Sequence, residues 1–531
     1  MSGYGIVARR SVGLCVVIGF LGACATARPG GSSSEMTPGE MVRHFTEECA
    51  SGHAEQCVNL GMSYMEGLGV PQDARRASTL FEKACAGGSA QGCHNLGVLY
   101  TKGNGVSQDS RRASTLFEKA CAGGNVQGCH NLGVLYTQGR GVSQDARRAS
   151  TLFEQGCAGG SAMSCNALGL LYVKGSGVSQ DALRAAGLLE KACTGGEAEG
   201  CHNLGVLYTE GRGVPQDARR AATLYEKACA GGYTSGCYNL GSSYAEGLGV
   251  PQDMRRAAAL FQKSCEAGSA PGCNNLGVRY MKGLGVPQDE RRAAALFQKS
   301  CEAGLAPGCN NLGMSYMEGR GVRQDARRAA ALFQKSCEGG ESEGCYNLGV
   351  RYMEGSGAPQ DARRAAALFE KSCEAGLLQG CNNLGVLYDD GRGVPRDARR
   401  AVALFEKSCE GDWFSGCFNL GMNHEQGSGV PKDERRAASL YEKACEGGVA
   451  RSCFNLGTLS FEGRGVSKDA RRAAEMFEKA CEGGVAPGCY NLGVSYVKGS
   501  GVSRDRRRAA EMFEKACKAG EAQGCTALDS L

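Results

Sequence analysis

The sequence predicts an all-α solenoid of about thirteen 36-residue helix-pair repeats, each joint crosslinked by a disulfide. The first observation behind this is a cysteine ladder. Of 30 cysteines, 28 form pairs eight residues apart, and the pairs recur every 36 residues without a slip. They are Cys49 and Cys57, Cys85 and Cys93, Cys121 and Cys129, Cys157 and Cys165, Cys193 and Cys201, Cys229 and Cys237, Cys265 and Cys273, Cys301 and Cys309, Cys337 and Cys345, Cys373 and Cys381, Cys409 and Cys417, Cys445 and Cys453, Cys481 and Cys489, and Cys517 and Cys525. The second observation is apolar spacing at i, i+3, i+4 and i+7, the stripe of a helix. The third is glycine: 82 residues at fixed repeat positions, which marks turns and not low-complexity disorder.

Parity and compartment agree. The two cysteines off the ladder, Cys15 and Cys24, leave an even number within it. Such density is expected where thiols oxidise, outside a reducing cytosol. No Cys or His cluster has the two-to-four-residue spacing of a metal site, so no metal is expected. The net charge of +5 is spread over many repeats and predicts no nucleic-acid partner.

The N-terminus reads as an export signal. Arg9 and Arg10 precede the apolar run Ser11 to Ala23, too short to span a bilayer. The run ends in Leu21-Gly22-Ala23-Cys24, which resembles the bacterial lipobox; that resemblance implies cleavage before Cys24 and lipidation of its thiol. An ordinary cleaved signal with a coincidental cysteine is the alternative. Residues 1–23 are thus a signal peptide, residues 24–35 a flexible tether, and residues 36–531 the repeat array. The implied location is the bacterial cell envelope, at the outer membrane facing the periplasm or the cell surface. Ala25 supplies no inner-membrane retention signal of the Asp type.

Met36 to Cys49 reads as a lone capping helix with Met41, Phe45 and Cys49 on one side. In the unit from Gly92 to Gly124, Cys93, Leu96, Gly97 and Tyr100 form the stripe of a first helix, which Gly103 and Gly105 stop. Asp109 caps a second helix with the stripe Ala113, Leu116, Phe117 and Ala120. Gly97 and Ala113 are expected to let the two backbones approach closely. Cys121 closes the second helix, Gly123-Gly124 turns the chain, and Cys129 opens the next unit. Eight residues, part helix and part turn, bring the paired Cα atoms into disulfide range. In the loop-entropy model each bond stabilises by about 2–3 kcal/mol. Glu521 to Leu531 is a final half-repeat.

This unit resembles the Sel1-like repeat, a relative of the tetratricopeptide repeat, on the strength of Asn95-Leu96-Gly97-Val98-Leu99-Tyr100, Gly103, Gly105-Val106, Asp109, Ala113, Phe117 and Lys119-Ala120. Cysteines where most such repeats carry Ala are similar to the Helicobacter cysteine-rich type. The resemblance implies a right-handed αα-superhelix and an adaptor role in protein complexes.

Recognition is expected beside the core. The residue after each opening Cys varies: Val58, His94, His130, Asn166, His202, Tyr238, Asn274, Asn310, Tyr346, Asn382, Phe418, Phe454 and Tyr490. If the family geometry holds, this row faces the inner groove, where His and aromatic side chains anchor a protein or peptide partner; a tolerant half-exposed position is the alternative. The next position is Asn in every repeat except at Ala167, which suits either a tie between repeats or a bond to a bound peptide. In the turn Gly411-Asp412-Trp413-Phe414, the adjacent Trp413 and Phe414 are expected to be exposed anchors, with His424 replacing the usual Tyr nearby; a loop packed down on its surroundings is the alternative. The recurrent Asp-x-Arg-Arg reads as a solvated face, or as an Arg ladder for anionic glycans.

Catalysis is not expected, because an array supplies like groups in rows and catalysis needs unlike groups converging. Some cysteine-rich relatives carry a β-lactamase description. The only Ser-x-x-Lys is Ser495-Tyr496-Val497-Lys498, without the companion elements of such enzymes. No cofactor motif occurs. The reading is a non-catalytic envelope lipoprotein that scaffolds a protein or peptide partner; β-lactam binding and glycan binding are the alternatives.

Overall fold

The computed structural model describes residues 36–531, which divide into two compact units, residues 36–145 and residues 146–531. The expected signal peptide, the lipidation site Cys24 and the tether lie outside the described residues. Among the described residues every regular element is an α-helix, 28 in number, and every helix but the last spans 13 residues.

The first unit opens with the helix Pro38–Ala50, capped by a reciprocal pair: Thr37 Oγ1 accepts from the Glu40 amide, and the Glu40 carboxylate accepts from the Thr37 amide at 2.7 Å. It buries Val42 and Cys49, with Phe45 packed beside them. Phe45 and Cys49 face inward as expected, but Val42 is the buried residue of the first turn and Met41 is only half-buried, because the helix turns its Val42 side toward Phe81 and Leu60. Two helix pairs and the first helix Val126–Gln138 complete the unit.

The pair Ala90–Lys102 and Ser110–Ala122 illustrates the local chemistry. Gly103 ends the first helix at φ 71°, in the left-handed region. Asp109 opens the second, its carboxylate accepting from the Arg111 and Arg112 amides at 3.0 Å. Such a cap contributes about 1 kcal/mol. Ala113, Phe117 and Ala120 are buried as expected, and Leu99 joins them from the first helix. Gly97 has a different purpose from the one expected. A Cβ there would lie 2.7 Å from Cε1 of Phe117, so the glycine admits a ring and not a backbone. Gly105 makes the close backbone approach instead: a Cβ on it would collide with the carbonyl of Ala74, in the first turn of the preceding second helix.

The second unit repeats this pattern from Ala146–Ala158 to Ala522–Asp529. Its core is a row of equivalent clusters, such as Ala401, Phe405, Leu384 and Leu387. Disulfides close every expected joint in both units, with Cα–Cα separations of 4.4 to 4.8 Å. Each unit is thus a solenoid of crosslinked helix pairs. Among the described residues no helix is long and apolar enough to cross a membrane.

Candidate functional site

The variable row after each opening Cys rests on the core. In the first unit Val58 is buried, and His94 and His130 are half-buried. His94 lies over Phe117 with ring centroids 5.8 Å apart. In the second unit His202 lies over Tyr225, Tyr238 over Phe261, Tyr346 over Phe369, Phe418 over Tyr441, Phe454 over Phe477 and Tyr490 over Phe513. Their separations run from 5.7 to 6.0 Å, within the range of direct aromatic contact. Every ring is half-buried, with one face seated on the core, and His202 also meets Tyr233 at 5.1 Å. Burial pushes the pKa of His94, His130 and His202 down, so these imidazoles are held neutral.

The row is also tied to the next repeat. Asn203 donates to Asn166 Oδ1, Asn311 to Asn274, Asn347 to Asn310 and Asn419 to Asn382, each at 2.9 Å. Asn239 approaches His202 Nε2 at 3.0 Å, and Asn275 donates to the Tyr238 hydroxyl at 3.5 Å. In these six repeats the near-constant Asn is a structural tie, with the variable residue of the preceding repeat as its partner, whereas Phe418 and Phe454 offer no acceptor to Asn455 and Asn491. Where Val58 offers no acceptor, Asn95 accepts from Gln91 at 2.8 Å and turns its amide toward Met62 Sδ. Single-sequence reading treats the two columns separately; their link, 37 residues apart, emerges only when the repeats stack.

Trp413 and Phe414 are not a free loop. Both are half-buried, and Phe414 packs over Gly447 of the following joint and against Ala444. The reason is size: most other repeats place Ala where Phe414 stands, and a ring there fills the space over the next turn. Asp412 holds φ 62°, the only non-glycine residue in the left-handed region among the described residues.

The Asp-x-Arg-Arg ladder carries a motif that spacing alone does not reveal. Arg112 donates to the Tyr100 hydroxyl at 3.1 Å, lies 5.6 Å from that ring's centroid and sits 3.5 Å from Asp109. The same donation recurs at Tyr64, Tyr208, Tyr244, Tyr280, Tyr316, Tyr352 and Tyr496, each twelve residues before its Arg. A Tyr and an Arg at that fixed interval are the signal available in the sequence. These guanidiniums remain mostly open to solvent.

Ser495 is buried, and its hydroxyl donates to the Asn491 carbonyl at 2.9 Å on the same helix. Among the described residues no group of three or more His, Cys, Asp or Glu side chains is arranged to hold a metal ion.

The Sel1 repeat model matches thirteen successive stretches, from residues 56–89 to residues 486–521. No curated protein matches the chain. Among solved structures, a protective antigen present in uropathogenic Escherichia coli strains, displaying an SLR fold, is 28% identical. That match covers 86% of this chain and 97% of the antigen, with a TM-score of 0.67. A Sel1 repeat protein from Oxalobacter formigenes is 23% identical over 68% of this chain and 98% of its own, with a TM-score of 0.45. Helicobacter pylori cysteine rich protein B is 32% identical over 25% of this chain and 96% of its own, with a TM-score of 0.22. With its repeats matched from one end of the described residues almost to the other, the chain belongs to the Sel1 repeat family.

Proposed function

We propose that this protein is a non-catalytic scaffold of the bacterial cell envelope, anchored by a lipid on Cys24, that binds a protein or peptide partner along the first-helix row. One observation carries the reading. The row presents different side chains on identical seats: His202, Tyr238, Tyr346, Phe418, Phe454 and Tyr490 each lie on an equivalent buried ring. A rigid, pre-organised row with variable chemistry favours recognition, since ordering costs are already met. Fourteen disulfides suit the oxidising compartment this reading requires.

Crosslinking and mass spectrometry of the protein in its native membrane is the test. A discrete partner is expected, with crosslinks clustered on first helices, and its yield should fall in Tyr346→Ala and Tyr490→Ala variants whose circular dichroism is unchanged. Recovery of no protein partner overturns the reading. A second reading, an anionic-glycan surface, is favoured by the exposure of Arg112, Arg220 and Arg256. It predicts salt-sensitive binding to peptidoglycan or lipopolysaccharide that is lost when several of these Arg are changed to Ala.

A further inference from the structure

Two arginines stand where the array otherwise closes its core. The first-helix column that holds Leu207, Ser315 and Leu387 is buried in its other repeats, yet Arg279 and Arg351 occupy it. Taking a guanidinium out of water is costly unless its donors find acceptors. Arg351 meets that need in part: its Nη1 lies 3.1 Å from the Glu354 carboxylate and 3.8 Å from Met317 Sδ. Arg279 has no carboxylate in ion-pair contact among the described residues. Its Nη1 donates to Met254 Sδ at 3.4 Å, and its guanidinium carbon lies 5.7 Å from the Phe261 ring centroid. Its Nε is buried with no partner. Burial pushes the pKa of this group down, with the Glu246 carboxylate opposing.

Met254 is as unusual as the arginine it faces. It opens the helix Met254–Glu266 at a position that holds Ala, Ser, Glu or Arg in every other second helix. The two departures thus meet each other across the seam with the helix Ala270–Lys282. A thioether is a weak acceptor for so strong a donor, whereas a sulfoxide oxygen is a good one. Every cysteine among the described residues is in a disulfide, so thioethers are the oxidisable sulfurs that remain there. Met254 is half-buried, which leaves it within reach of a small oxidant.

We propose that Met254 is a site of sulfoxide formation by peroxide, at which oxidation tightens the repeat instead of loosening it. The sulfur lone pair attacks one peroxide oxygen, an S–O bond forms as the O–O bond breaks, and the second oxygen leaves as water after proton transfer. Sulfur loses two electrons and the peroxide gains them. The new oxygen accepts from the Arg279 guanidinium and supplies the acceptor that the thioether does not. The site is separate from the variable row and does not depend on the partner reading.

The test is hydrogen peroxide applied to the full mature protein, with sulfoxides mapped by peptide mass spectrometry and amide exchange read in residues 254–266. Met254 is expected to convert while the protein stays folded, alongside the exposed Met163. Its sulfoxide should slow exchange of that helix by about tenfold, the scale of one hydrogen bond to a charged group. Arg279→Leu, which matches Leu207 in the same column, should fold and reverse the sign, so that oxidation speeds exchange. Met254→Leu keeps every other Met and should lose the slowing. The proposal is overturned if Met254 resists oxidation while Met163 converts, or if exchange in the oxidised wild type is unchanged or faster. Slowing that persists in either variant overturns it as well.

Discussion

The repeat at residues 198–233 and the repeat at residues 415–449 show what the fold requires and what it tolerates. In the first, Tyr208 accepts from Arg220 at 3.2 Å, Thr209 meets the Tyr225 hydroxyl at 2.9 Å, and the joint before it turns on Gly196 at φ 87°. In the second, His424 takes the place of Tyr208 and is buried with both ring nitrogens unpartnered. Glu425 takes the place of Thr209 and accepts from Tyr441 at 2.7 Å, while Asp412 takes the left-handed place of Gly196. A charge cluster accompanies these changes: Arg464 reaches Glu425 at 3.1 Å, Glu434 at 3.0 Å and Glu462 at 3.1 Å. The buried alanines and the ring at the second-helix centre are unchanged. The core is fixed, and the polar contacts around it can be rebuilt.

The largest expected effect comes from the joints themselves. Replacing both cysteines by Ala at Cys193–Cys201, or at Cys409–Cys417, should cost about 2.5 kcal/mol each by loop entropy. Denaturant unfolding followed by local hydrogen exchange would read both losses. A distinctly greater loss at Cys409–Cys417 would mean that the bond also restrains the Asp412 turn, and the two repeats would then differ in their joints as well.

The orphaned histidine comes next. Tyr208→His should destabilise its repeat by roughly 1–3 kcal/mol, the cost of leaving buried polar atoms unsatisfied, and His424→Tyr should recover a comparable amount. Exchange rates in residues 198–230 and 414–446 would report the two changes. If His424→Tyr loses stability, the Glu425 and Arg464 cluster has reshaped the site so that Tyr no longer fits. Smaller still, Asp412→Gly should stabilise by about 1 kcal/mol by removing left-handed strain. The exposed Lys443 pair it breaks contributes little.

The smallest effect concerns pH. Hydrogen bonds from Lys432 and Arg464 hold the Glu434 carboxyl below its ordinary pKa. Its contribution to stability is therefore present above the usual Glu value of about 4.3 and is lost as pH falls through the lower folded value. Acid titration of stability should show a step below that range in the wild-type protein. The step should shrink in Arg464→Ala, and a variant that keeps it undiminished would remove Arg464 from the cause.

The frame is legible because it repeats. Spacing alone identifies Cys121 and Cys129 as partners, Asp109 as a cap, and Phe117 as core. Contacts between separate columns are hidden, because the partners lie far apart in sequence: Gly105 on Ala74, Asn203 on Asn166, Arg112 on Tyr100. Trp413 and Phe414 read as exposed because a turn in sequence gives no sign of the next joint, which closes over it. The row from His94 to Tyr490 stands out by its variation, but the rings beneath it, such as Phe117 and Tyr225, read only as core.

The shortness of each crosslinked loop bears on how the protein is made. For Cys57 the native partner is eight residues back, whereas the next cysteine forward, Cys85, closes a several-fold longer loop. That difference disfavours the wrong bond by about 1 kcal/mol while the chain is still unfolded. Helical turns on either side then place only the near partner in reach, with Cα atoms 4.7 Å apart. A chain oxidised from its N-terminal end onward can therefore lock each joint as soon as two short helices have emerged. Fidelity of pairing is set by proximity along the chain, and no thiol has to search through all the others.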